Sequence, residues 1–103
     1  MSWHQAVASK LRELRFICSF SPDSSGCRAF ISSNYSQVKQ AAPQFPFIVR
    51  ECENAIPMAI ARYDFGVERK VPLDNLPEAE VAKAVQELVE QADSINTHRF
   101  LSH

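Results

Sequence analysis

The chain reads as an α/β domain built on a four-stranded mixed sheet, with elements in the order β-α-β-β-β-α, and three observations lead there. A strand pattern, a helix pattern and a second strand pattern fall within about 40 residues, which suits one right-handed βαβ unit with parallel strands. Two more strand patterns flank Gly66 so closely that they must pair as an antiparallel hairpin. A final segment carries apolar residues at helical spacing.

Residues 11–18, LRELRFIC, form the first expected strand, with Leu14, Phe16 and Cys18 alternating with Arg15 and Ile17. The loop SFSPDSSG (19–26) is dense in turn formers, and Ser24 or Ser25 suits a helix N-cap. In residues 27–42, Cys27, Phe30, Ile31, Asn34, Val38 and Ala41 or Ala42 keep helical spacing until Pro43 stops the helix. FPFIVREC (45–52) is the second strand, MAIARYDF (58–65) the third and VERKVPL (67–73) the fourth, with Gly66 permitting the tight turn between the last two. Asp74 and Asn75 open a loop, and Pro77 suits the first turn of a helix over 76–92. Val81, Ala84, Val85, Leu88 and Val89 form its apolar stripe, and Glu78 and Glu80 suit its dipole. This is the minimal thioredoxin-like order. The domain is expected over 11–92, between an N-terminal tail (1–10) and an irregular C-terminal tail (93–103).

The composition fits one small domain: 103 residues, 46% hydrophobic, 22% charged. A net charge of -1 argues against an RNA-coating protein, which needs a surplus of Lys and Arg. No apolar run approaches the roughly 20 residues that span a bilayer. Three cysteines, an odd count, do not suggest a secreted disulfide framework, and no secretory signal is visible. The opening MSWHQAVASKLRELR has no acid before Glu13, carries Lys10, Arg12 and Arg15, and spaces Trp3, Val7 and Leu11 helically. It resembles a mitochondrial targeting segment, or is simply a mobile tail.

A thiol-disulfide enzyme needs an activated thiolate and a resolving thiol, which C-x-x-C at a helix start provides. Cys18 and Cys27 are nine positions apart and do not match that spacing. Cys27 near a helix start is a candidate monothiol or a small buried hydrophobe. Cys18 and Cys52 each close a strand of the expected parallel pair. Strands about 4.8 Å apart permit a bridge there if the two side chains share a face. His4, His98 and His103 lie in the tails without metal-ligand spacing, so no metal or cofactor is expected. Asn34-Tyr35-Ser36 matches a glycosylation sequon inside an expected helix and is read as chance. Pro57 precedes the third strand, where thioredoxin-like proteins often carry a cis proline.

Four stretches taken together (RELRF, SPDSSGCRAF, PQFPFIVREC and ARYDFGVERKVPLDNL) resemble the small thioredoxin-like accessory subunits of mitochondrial respiratory complex I. That family shares its domain with mitochondrial ribosomal proteins. The resemblance covers roughly residues 11 to 91. It implies a non-enzymatic subunit on the matrix side of the inner membrane, packed on the large iron–sulfur subunit near the NADH-oxidising end. It also implies that Cys18 and Cys52 are the positions able to form a disulfide, and it leaves Cys27 without a family role.

One physical feature suits docking. Helices on one side leave the other face of a small sheet under-covered, and Arg15, Arg50 and Arg62 sit between apolar neighbours on the strands. The alternative is that they are solvated, or paired with Glu13, Glu51 and Asp64. The leading expectation is therefore a structural and assembly subunit with other complex I subunits as partners and neither a nucleic-acid partner nor a membrane span. A thiol redox protein using Cys27 or Cys18, and a mitochondrial ribosomal protein, are the alternatives.

Overall fold

The computed structural model describes residues 3–101, with side chains through Asn96. Helix α1 (Trp3–Lys10) leads into strand β1 (Glu13–Cys18). Helix α2 (Ser25–Ala41), strands β2 (Phe47–Glu51), β3 (Met58–Arg62) and β4 (Glu68–Pro72), and helix α3 (Glu78–Leu101) follow. From β1 onward the order is the expected β-α-β-β-β-α. The sheet runs β2-β1-β3-β4, with β1 parallel to β2 and the other two pairings antiparallel, so it is mixed as expected.

The period-2 alternation of β1 sorts the molecule into two sides. Leu14, Phe16 and Cys18 are buried, while Glu13, Arg15 and Ile17 face the other way and remain partly exposed. The register sets Ala61 opposite Leu14 and Ala59 opposite Phe16, with Phe47 beside Leu14 on the other edge of β1. Onto this face pack Phe30 and Val38 of α2 and Val81, Val85, Leu88 and Val89 of α3, all buried. The Phe16 ring lies 5.8 Å from Phe30 and 5.4 Å from Phe47, centroid to centroid. Tyr63, fully buried, donates its hydroxyl to the Leu88 carbonyl at 2.6 Å and so ties the end of β3 to α3.

One glycine is dictated by close packing. A Cβ on Gly26 would stand 1.8 Å from the carbonyl oxygen of Leu76, so the first turn of α2 lies against the loop that feeds α3. Pro77 then accepts the first amide bonds of α3, from Glu80 and Val81, and acts as its cap rather than its first residue. Ser24 occupies the N-cap position of α2, but its hydroxyl does not cap the helix. It is buried and accepts the Ser19 backbone amide at 3.1 Å instead.

Both expected tails contain ordered structure. Residues 3–10 are helical, with Val7 buried, because Trp3 stacks at 5.7 Å on Phe30 and His4 reaches the Asn34 side chain at 2.7 Å. Asn34 also donates to the Phe30 carbonyl at 2.8 Å, which leaves the sequon residue engaged within α2. At the other end α3 continues nine residues beyond the expected limit at 92. Asp93 pairs with Lys10 at 2.7 Å, and Asn96 accepts the Asp64 amide at 3.1 Å and donates to the Lys10 carbonyl at 3.4 Å. The side chain of His98 and all of His103 fall outside the described residues. The third strand stops at Arg62, three residues before its expected end, since Asp64–Gly66 forms a 3-10 turn with Phe65 and Gly66 at positive φ. Among the described residues no peptide bond is cis, so the Ile56–Pro57 bond is trans.

The Gly26 contact yields a stability test. Gly26→Ala forces the α2 start away from Leu76 and is expected to cost about 1–3 kcal/mol in chemical denaturation. Removing residues 93–103 deletes Asp93 and Asn96 and is expected to lower the melting temperature, whereas a passive tail would leave it unchanged.

Candidate functional site

Two regions hold the residues singled out in the sequence: the C-terminal ends of the parallel strands β1 and β2, and the sheet face that no described helix covers.

At the strand ends all three thiols are free, with Cys18 and Cys27 buried and Cys52 exposed. The backbone brings Cys18 and Cys52 together, for the Cys52 amide donates to the Cys18 carbonyl at 2.9 Å. Glu51, however, is the residue opposite Cys18 in the register, and Cys52 comes one position later. The expected pair is thus adjacent in backbone, with one thiol inside the core and the other in solvent. The intervening loop is clipped by Arg28, which donates to the carbonyls of Ser19 and Ser21 and lies 5.9 Å over the Phe20 ring. Sequence reading missed Arg28, and its position one turn into α2, next to a Ser-rich loop, was the available signal. An open cleft of about 590 Å³ lies here, lined by Ser19, Phe20, Glu51, Cys52 and Glu53.

The surroundings of the two buried thiols favour their neutral forms. Burial, then the Glu51 carboxylate, pushes the Cys18 thiol up, and Arg28 only partly counters this. Burial, reinforced by Cys18, pushes Cys27 up to about 12. A helix N-terminus stabilises an anion by about 0.3–1 kcal/mol, at most about 2. At 1.36 kcal/mol per pKa unit that is roughly one unit of lowering, less than the upward push of burial on Cys27. Burial thus favours the neutral form of Cys27, which fits the small buried hydrophobe better than the candidate monothiol. Among the described residues no group of three His, Cys, Asp or Glu side chains is placed to hold a metal.

On the helix-free face the register gathers all three expected arginines. Arg15 lies between Ile48 and Ile60, Arg50 is opposite Ile17, and Arg62 is opposite Glu13. Arg15 pairs with Glu13 at 3.0 Å, as one alternative allowed, and its Nε is buried without a hydrogen-bond partner. Arg62 pairs with Glu68 across the hairpin at 3.0 Å rather than with Asp64, which pairs with Arg12 at 2.6 Å. Arg50 is exposed and has no ion-pair partner among the described residues. Lys70, opposite Ile60 on β4, shares this face and this condition. It too was missed, although the period-2 pattern of ERKVP gave its side once the hairpin was known.

Residues 27–78 match the model of the family described as "Mitochondrial ribosomal protein L51 / S25 / CI-B8 domain". The chain is 41% identical over 90 residues to NADH dehydrogenase [ubiquinone] 1 alpha subcomplex subunit 2 of Arabidopsis thaliana, covering 86% of this chain and 93% of that one. The mouse (Mus musculus) protein of the same name is 43% identical over 88 residues, covering 82% and 89%. The NADH-ubiquinone oxidoreductase 10.5 kDa subunit of Neurospora crassa is 31% identical over 90 residues, covering 86% and 96%.

The burial of two thiols and exposure of the third predict a labelling pattern. A maleimide at neutral pH should modify Cys52 alone in the native chain and all three cysteines after denaturation, read as mass increments. Rapid native labelling of Cys27 would contradict the buried-thiol account.

Proposed function

The chain belongs to the family of the NADH dehydrogenase [ubiquinone] 1 alpha subcomplex subunit 2 proteins, and from that premise we propose that it is a non-catalytic accessory subunit of mitochondrial complex I. It supports assembly and stability of the NADH-oxidising module on the matrix side, packed on the large iron–sulfur subunit. The observation that carries the non-catalytic part is the state of the thiols. The fold sets cysteines at a strand end and at a helix start, yet Cys27 is buried and its thiol pushed up to about 12, where a redox enzyme needs an activated thiolate. What the molecule offers instead is a surface: Arg15 and Arg50 beside aliphatic side chains, and Arg62 between Glu13 and Glu68, on an uncovered sheet face.

Cys18 and Cys52 give the subunit a redox-responsive element in this reading. A low-molecular-weight disulfide accepts two electrons and two protons as the two thiols join, and leaves as two thiols. Closure requires the Cys52 side chain to turn inward toward Cys18, so the bridge fastens the ends of β1 and β2 and reports redox state rather than turning over a substrate.

A native gel of solubilised mitochondria tests the assignment, with this protein detected beside an in-gel stain for NADH dehydrogenase activity. Co-migration at the size of the intact complex, and loss of assembled complex when the protein is depleted, are expected. Cys27→Ser should restore both fully. Migration as a small free protein, or with ribosomal subunits, would overturn the proposal.

A further inference from the structure

The helix-free face has a charge inventory that distinguishes its cations. The register lays it out in three rows across β2, β1, β3 and β4. One row holds Arg50, Ile17, Met58 and Pro72, and the next Ile48, Arg15, Ile60 and Lys70. The last holds Glu13, Arg62 and Glu68. Its middle is thus largely apolar, with Ile17, Ile48, Met58 and Ile60 grouped around the Glu13-paired Arg15, and these four residues are only partly buried.

Both acids of this face are already taken, Glu13 by Arg15 and Glu68 by Arg62. Arg50 on edge strand β2 and Lys70 on edge strand β4 are the two cations left over. Three strand spacings and two residues separate them, roughly 16 Å on an idealised sheet. A largely apolar middle with uncompensated charge at its rim is the layout of a protein interface. The charge decides what kind.

We propose that this face receives a partner protein surface that places carboxylates against Arg50 and Lys70, on either side of an apolar patch covering Ile17, Ile48, Met58 and Ile60. The inference rests on the subunit reading above and deepens it. Arg50 and Lys70 carry the intermolecular contacts, and Arg15 and Arg62 serve the face internally. A second copy of this chain is a poor occupant. Its own face would bring two further unpaired cations and no acid that is not already engaged. Nucleic acid is a poor occupant as well, since Glu13 and Glu68 lie on the same face and four apolar residues surround the one, already paired, arginine in its middle.

The test replaces the endogenous protein in cells by full-length variants: Arg50→Glu, Lys70→Glu, the double reversal, and Lys83→Glu on the exposed side of α3 as control. Neither Arg50 nor Lys70 makes an ion pair among the described residues, so the purified variants should melt like the wild type. The fraction co-migrating with complex I should fall roughly tenfold for the double reversal, less for each single change, and not at all for Lys83→Glu. Zero-length carbodiimide coupling reads the contact directly, and Lys70 should join to an Asp or Glu of another subunit. Full incorporation of the double reversal, or coupling of Lys70 to a second copy of this chain, would overturn the inference and leave the subunit reading intact. Failure of the wild-type chain to enter the complex would remove both.

Discussion

Strand β1 is the element on which the rest depends. It is internal in the sheet, parallel to β2 on one side and antiparallel to β3 on the other. Its six residues alternate so that Leu14, Phe16 and Cys18 build the core while Glu13, Arg15 and Ile17 build the open face. A slip of one residue would exchange the two sets completely. Burying Arg15 in place of Phe16 is ruinous, so the register is strongly enforced. The same constraint that makes the core therefore fixes which arginines can meet a partner. It also fixes the thiols, because Cys18 shares its inward direction with Phe16 and enters the core beneath the start of α2.

The helix layer explains why one side stays open. α2 and α3 cover the inward side together, with Gly26 allowing α2 to touch the loop before α3. α1 joins them through Trp3 and Val7. The helices pack on each other as well as on the sheet, so the hydrophobic surface of a small chain is concentrated in one layer. Ile17, Ile48, Met58 and Ile60 are left on the far side with no described helix above them.

Much of this was legible in the sequence, and the gaps have physical causes. Alternation in RFIC and the apolar run of FPFIV marked strands, and Val81, Val85, Leu88 and Val89 marked the face of α3. The ends were harder. An eight-residue helix such as α1 is not stable by propensity. It forms because Trp3 and His4 find Phe30 and Asn34, partners about thirty positions away. The last turns of α3 contain Asp93, Ser94 and Asn96, poor helix formers whose anchors are Lys10 and Asp64. At the thiols, pattern reading could place two strand ends side by side but not resolve the single-residue offset that pairs Cys18 with Glu51. It also treated three arginines as equivalent, because their ion partners lie across strands.

That difference among the arginines follows from what a buried charge requires. Covering an ion pair that already exists removes two charges from water together, each with its partner in place. Covering a lone cation without an acceptor leaves an uncompensated charge, which is far more costly. Glu13–Arg15 lies near the middle of the face, with Glu13 only 15% exposed, so the protein already shields that pair from water. Arg50 and Lys70 stand at the edge strands, where a partner can leave them hydrated if it brings no acid or bind them if it does. Charges so placed govern partner choice and encounter more than raw affinity, while the largely apolar middle supplies the area to be buried. In the proposed docking role, a face arranged this way would discriminate between surfaces of similar shape by their carboxylates.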